Sequence, residues 1–416
     1  MNILIFRNLR EAFELLKRFK SFLMALCLFV SFFSCGNLTS FAKEGKKAVI
    51  YVTSMLSSAL LDKENNNKIL WLDSILNFLW DPNAVGCDEN GDSINKNVVA
   101  LNYTKDIKDE NKKNLIKYGV NSCDKNIIDK LTSEFGPNTE FNCDIVRFAY
   151  DWRKSCEEIS EGLLDVIKDY DSVYFVSYSQ GGIIVSSALN KLLEKSDHKT
   201  LNKVKSCIFI AVPFYGTLEP WFVFENGIRM DGFFGKVAKL IGINKITKNL
   251  TRNFKSMYEM LPSREYFSVN AEGSKTEGTP DVVKSVNSYE EMVNAIEKFD
   301  WYKKKDKSKK DFILSAKNIK NKLSRGVYRY LAENKNCFFI CGTGIDTLYR
   351  LGYDKDKNLL ISETAPGDYG MIYNSTFPVG TDESRVFPVN GVKHTEMVNN
   401  KDVLNKISEV LKRVPF

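Results

Sequence analysis

Histidine is almost absent from this chain: 416 residues contain two, His198 and His394. A neutral imidazole is the usual proton acceptor for a serine or cysteine nucleophile, so base-assisted chemistry of that kind has only two places to be. Metal and phosphate signatures are missing as well. The nine cysteines form no C-x-x-C pair and no phosphate-cradling glycine loop occurs, so neither a metal nor a cofactor is expected. Nor is there an apolar run of comfortable membrane-spanning length at the amino end, where residues 22–33 follow Arg7, Arg10, Lys17, Arg18 and Lys20. With Ser40-Phe41-Ala42 behind it, this pattern predicts a signal peptide over residues 1–42 and a secreted or cell-envelope protein. Ser34-Cys35-Gly36 offers lipoprotein anchoring at Cys35 as the alternative, and an uncleaved anchor is a third. Strong charge is lacking too. The formal +7 falls to about +4 without residues 1–42, compatible with an anionic membrane surface and no case for nucleic acid.

What is present is Ser177-Tyr178-Ser179-Gln180-Gly181-Gly182, set between the apolar runs Val173–Val176 and Ile183–Val185. A strand that turns sharply into a helix at such a motif lifts a serine hydroxyl clear of the backbone, at the top of an α/β-hydrolase sheet. Ser179 is therefore the candidate nucleophile, with Ser177 replacing the first glycine of the G-x-S-x-G pattern. In that fold the order is serine, acid, histidine, which selects His394, in a loop before the closing amphipathic pattern Val403, Leu404, Ile407, Val410 and Leu411. His198 lies in a charged helix end and reads as solvated. The acid should follow the penultimate core strand, read as Cys337–Cys341; Asp346 and Asp368 both follow, and spacing alone points to Asp346.

Several separated blocks together resemble the lecithin:cholesterol acyltransferase family, which includes lysosomal phospholipase/transacylases and phospholipid:diacylglycerol acyltransferases. They are Ala149-Tyr150-Asp151-Trp152-Arg153, Ile208–Gly216, Phe254–Pro262, Gly342-Thr343-Gly344, Gly367-Asp368-Tyr369-Gly370 and Lys393-His394. Their order and spacing agree over roughly residues 47–412, nearly all of the mature chain. The resemblance implies an α/β-hydrolase fold, a Ser179–Asp368–His394 triad, and oxyanion donors at the Met55 and Gln180 N–H groups. It also implies a lipid ester at a membrane surface as substrate, with water or a lipid hydroxyl accepting the acyl group. Departures are Thr53-Ser54 where the family has proline-glycine after the first strand, Tyr178 where histidine is common, a change expected to be tolerated, and one residue inserted or replaced in the acid loop. The first-strand and acid-loop departures support an alternative, a non-catalytic or weakly active lipid-binding envelope protein on the same scaffold. A Ser179–His394 distance within hydrogen-bond reach discriminates between the two.

Alternating strands and amphipathic helices predict a mostly parallel sheet flanked by helices, with a core over 43–214 and 331–416 and a cap inserted over 215–330. The charge run 303–310 in that cap reads as a solvated loop. Ile69, Leu70, Trp71, Leu72, Ile75, Leu76, Phe78, Leu79 and Trp80 recur at helical spacing, as in an interfacial helix, and the family resemblance implies that residues 62–90 form a lid segment. Asp151 and Arg153 read as a buried brace near the site, with Trp152 between them. Seven cysteines lie beyond the export region, so at least one thiol is free unless paired between chains. Cys207 and Cys337 are expected to pack as small hydrophobes, while Cys87 and Cys123 are the disulfide candidates.

Overall fold

The computed structural model describes residues 47–71, 81–101, 124–229, 243–269, 273–275, 282–304 and 311–416. Six strands form one parallel sheet: β1 (Lys47–Val52), β2 (Asp144–Phe148), β3 (Ser172–Tyr178), β4 (Val204–Ile210), β5 (Cys337–Thr343) and β6 (Val386–Asn390), in the order β2-β1-β3-β4-β5-β6. Its central strands are apolar on both faces, as burial beneath two helical layers requires. Alternate residues of β1 and β3 divide between two cores. Ala48, Ile50, Val52, Val173 and Phe175 enter one, and Val49, Tyr51, Tyr174 and Val176 enter the other.

The helices follow from the same periodicity. On one face α1 (Lys125–Phe135) contributes Ile127, Leu131 and Phe135, joined later in the chain by the closing helix Lys401–Leu411 with Val403, Ile407 and Leu411. On the other, α2 (Cys156–Lys168) starts at Ser155, whose hydroxyl accepts the Glu157 N–H, and carries acids in its first turn and Lys168 in its last. Next comes α3 (Gln180–Glu194), buried on nearly every side because the sheet lies under it and α4 (Phe312–Arg325) and α5 (Val327–Glu333) pack over it.

Between β4 and β5 lie short helices, among them Glu219–Asn226, which buries Trp221 and Phe224, then Ile243–Thr251 and Tyr289–Lys298. Of the charge run, Lys303 ends a helical turn at Asp300–Lys303, and residues 305–310 lie outside the described residues. So do Phe233, Phe234, Val237, Leu240 and Ile241, the export region with Cys35, and Cys123.

Two expectations need correction. Ile69, Leu70 and Trp71 are not helical: Lys68–Trp71 pairs antiparallel with Leu60–Asp62, which also pairs with Val98–Ala100 in a three-stranded sheet. Helical spacing misleads over so short a run, where three consecutive apolar residues fit either period. Trp71 packs edge-on against Trp152 with centroids 5.2 Å apart, and its indole donates to the Leu56 carbonyl at 2.8 Å. The remainder of the apolar patch, Leu72 to Trp80, lies outside the described residues. Cys87 is a buried free thiol rather than half of a disulfide, and burial pushes its pKa up to about 11. Cys207 and Cys337 sit opposite one another on β4 and β5, both buried.

Candidate active site

Four chain segments meet at the carboxyl edge of the sheet, where parallel α/β sheets present their functional groups. The first is the bend between β3 and α3. Ser179 there has φ 55° and ψ −125°, a conformation costing a non-glycine residue about 1–3 kcal/mol. Its N–H donates to the Ile210 carbonyl at 2.9 Å. The bend fits only because glycine follows. A Cβ on Gly181 would stand 2.3 Å from the Val52 oxygen and 2.5 Å from the Thr53 oxygen; one on Gly182 would stand 2.2 Å from a Val212 methyl.

The second segment follows β6 and carries His394 at the start of a 3-10 turn, His394–Asn399. Its Nε2 lies 3.0 Å from Ser179 Oγ and its Nδ1 lies 2.8 Å from Asp368 Oδ2. A carboxylate only accepts, so Nδ1 carries the proton and Nε2 is left to accept from the serine hydroxyl. The main chain holds the ring from behind: the His394 N–H donates to the Asp368 carbonyl at 2.7 Å, and the Tyr178 hydroxyl donates to the His394 carbonyl. Tyr178, expected only to be tolerated beside the serine, thus bonds the histidine's own backbone, with the two ring centroids 5.2 Å apart.

The third segment was not foreseen. Immediately after β5 the chain enters an antiparallel hairpin, Ile345–Tyr353 against Leu359–Gly367, and returns to the sheet edge at Asp368. Pairing of Ile345 with Gly367 and Asp346 with Pro366 brings both candidate acids to one end of the hairpin. Their environments differ. Asp346 is exposed, whereas Asp368 is fully buried, with Oδ1 accepting the N–H groups of Gly370 at 3.0 Å and Met371 at 2.7 Å. Gly342 on β5 leaves the room, since a Cβ there would stand 2.4 Å from that of Asp368. The structure therefore joins Ser179, His394 and Asp368 and leaves Asp346 outside; His198 is exposed in the short helix His198–Leu201.

The fourth segment is the turn leaving β1. Met55 lies in it, half-buried, and Gln180 is the buried first residue of α3; the contact of Gly181 with the Val52 and Thr53 carbonyls brings these segments together. The turn is fixed without proline-glycine. Tyr150 Oη donates to the Thr53 carbonyl at 2.7 Å, Trp152 Nε1 to the Ser58 carbonyl at 3.2 Å, and Arg147 to the Ser57 carbonyl at 2.8 Å. Arg147 also bonds Asp124 through Nε at 2.9 Å and a terminal nitrogen at 2.6 Å, and Asp124 accepts from Tyr51 at 2.9 Å and Thr53 at 2.8 Å. This cluster escaped the sequence reading, although an arginine inside the buried strand Asp144–Phe148 signals an internal partner.

Asp151 and Arg153 do form a brace, bonded in bidentate fashion at 2.8 and 2.7 Å, with the third contact of Arg153 to the Val85 carbonyl at 2.9 Å. The side chains are 9% and 1% exposed. Arg153→Leu strands the aspartate, so unfolding free energy should fall by about 3–5 kcal/mol, read by denaturant titration. Nearby, Glu259 accepts the Cys156 N–H at 2.7 Å, and burial pushes its carboxyl up to about 7; burial likewise pulls Lys320 down to about 7. Ser256 donates to the Trp152 carbonyl at 2.7 Å, and Phe254 meets the Trp152 ring edge-on at 5.6 Å. Two blocks 104 positions apart at Ser256 and Trp152 thus touch, and the same Trp152 carbonyl accepts from Gln180 Nε2 at 3.3 Å.

Residues 150–255 match the family model described as "Putative serine esterase (DUF676)". A search of curated protein sequences returns no significant match. Among 45 solved chains that match is one from "The crystal structure of Tle4-Tli4 complex", 13% identical over 89% of this chain and 99% of that one, with a TM-score of 0.52. Bacillus licheniformis lipase BlEst2 in mature form is 10% identical over 90% of this chain and 96% of its own, with a TM-score of 0.35. Staphylococcus hyicus lipase is 10% identical over 91% and 97%, with a TM-score of 0.36. The chain has the α/β-hydrolase fold, with a mostly parallel sheet between helices, and carries a match to a serine esterase domain.

Proposed function

We propose that this chain is a secreted or envelope serine hydrolase that cleaves lipid esters of the phospholipid or acylglycerol type through an acyl-enzyme on Ser179. One observation carries the reading: the hydroxyl, imidazole and carboxylate of Ser179, His394 and Asp368 stand in line at 3.0 and 2.8 Å. That continuity favours an enzyme over the lipid-binding alternative. His394 Nε2 takes the serine proton as Oγ attacks the ester carbonyl; Asp368 holds the imidazole in the required tautomer and stabilises the imidazolium. The Met55 and Gln180 N–H groups receive the oxyanion. The protonated imidazole gives its proton to the departing alcohol, and water, or the hydroxyl of a second lipid, then attacks the acyl-serine with the same histidine as base.

The lipid substrate rests on the resemblance to the lecithin:cholesterol acyltransferase family and on export through residues 1–42. The test is product analysis. Purified protein incubated with phosphatidylcholine and phosphatidylethanolamine vesicles should release free fatty acid and lysolipid, and an added long-chain alcohol should divert part of the acyl group into a fatty ester. Unchanged vesicles, with a water-soluble short-chain ester hydrolysed, would exclude the lipid substrate while keeping the esterase.

A further inference from the structure

We propose that Arg229, in the insertion between β4 and β5, is a positioning residue that clamps the acid loop and so aligns Asp368 with His394. The inference deepens the esterase reading and rests on it for its kinetic arm. The observation is a contact between segments far apart in sequence. The guanidinium carbon of Arg229 stands 3.7 Å from the centroid of the Tyr369 ring, and a terminal nitrogen donates to the Tyr369 carbonyl. The same guanidinium is paired at 2.5 Å with Glu219, the first residue of the helix Glu219–Asn226, so its direction is fixed from the insertion side.

Tyr369 lies in the acid loop, between Asp368 and Gly370. Its φ is 80°, unfavourable for a side chain of that size. Three contacts hold it there: its N–H donates to Thr347 Oγ1 at 2.8 Å, its carbonyl accepts from Arg229, and its ring lies against the cation. Both neighbours touch the site. Asp368 accepts the histidine's backbone N–H through its carbonyl and bonds the imidazole through its carboxylate. Gly370 lies beside His394, where an added Cβ would come within 3.2 Å of the ring carbon, and its carbonyl accepts from Thr217 at 2.8 Å. A cation on Tyr369 therefore sets the backbone from which the acid and, through it, the base are hung. Without the ring and carbonyl contacts, the peptide from Asp368 to Gly370 is free to relax toward negative φ, which turns the carboxylate away from Nδ1.

The test pairs kinetics with proton NMR. With two histidines in the chain, one of them exposed, the low-field imidazole proton shared by His394 and Asp368 is readily assigned. In Arg229→Ala, kcat for a short-chain nitrophenyl ester should fall about tenfold to a hundredfold with KM unchanged within about twofold, and the low-field resonance should broaden or vanish. Arg229→Lys, which keeps a charge over the ring, should recover part of both. Arg329→Ala, at an exposed arginine paired with Glu333, is the control and should leave both unchanged. Should Arg229→Ala fail to fold, Arg229→Gln, which removes the charge but keeps a polar amide, is read in the same way. An Arg229 variant with wild-type kcat and an intact resonance overturns the proposal, as does a rise in KM at constant kcat. The resonance needs no ester turnover: an inactive wild type whose resonance still depends on Arg229 would defeat the esterase reading and leave this inference standing.

Discussion

Replacing Ser179 with alanine should lower ester turnover by about four orders of magnitude or more, with the fold unchanged by circular dichroism. The size follows from the mechanism. In the proposed mechanism Ser179 Oγ is the atom that bonds the acyl group, so its deletion would leave only the proposed oxyanion donors and substrate binding to act on the carbonyl. His394→Ala should cost a similar factor, because the Ser179 hydroxyl has no other described base at 3.0 Å. The double variant should be scarcely slower than either single one, since two groups that act only together cannot lose their contribution twice. Full additivity of the two losses, measured as kcat/KM on one ester, would mean that the pair does not work as a unit. Stability should rise rather than fall in Ser179→Gly, whose backbone accepts φ 55° without cost.

The second large effect separates two aspartates that lie at the same hairpin end. Asp368→Asn keeps an acceptor for the Gly370 and Met371 N–H groups but lets the amide donate toward Nδ1, which turns the imidazole to the wrong tautomer. Turnover should fall by about 10⁴-fold, as loss of an orienting carboxylate does elsewhere. Asp346→Asn should change it by less than about twofold, because the side chain faces solvent. Comparing the two kcat values on one ester settles the assignment, and the reverse ranking would transfer the role to Asp346.

The ambiguity between these aspartates shows where the sequence stops being legible. The serine bend was readable because its chemistry is local: one strand, one nucleophile and two glycines whose Cβ atoms would meet the Val52 oxygen and the Val212 side chain. His394 was readable by scarcity. The acid was not readable from spacing, since a hairpin over Ile345–Tyr353 and Leu359–Gly367 separates it from the strand it serves, and only the resemblance pointed past Asp346. The hairpin itself was hidden because its strands follow β5 with only Gly344 between, at φ 80°, so two different sheets share one nearly continuous extended run.

Ionic anchors show the same limit. Asp151 and Arg153 are two residues apart and could be paired by eye, whereas Asp124 and Arg147 meet only because α1 and β2 pack together at the turn after β1. That cluster answers the chief objection to the motif. The missing proline-glycine after the first strand is offset by side-chain hydrogen bonds from Tyr150, Trp152 and Arg147 to the carbonyls of Thr53, Ser58 and Ser57. Trp71 failed for a different reason. Its apolar neighbours continue beyond the strand, and periodicity over Lys68–Trp71 is too short to tell a turn of helix from a buried strand.

The central claim is that Ser179 is a nucleophile activated by His394, and covalent labelling tests it most directly. Folded protein treated with a fluorophosphonate should gain one adduct by intact mass, mapped to the peptide holding Ser179, and His394→Ala should slow its formation by orders of magnitude. An unlabelled Ser179 in folded protein, or a labelling rate indifferent to His394, would contradict the account.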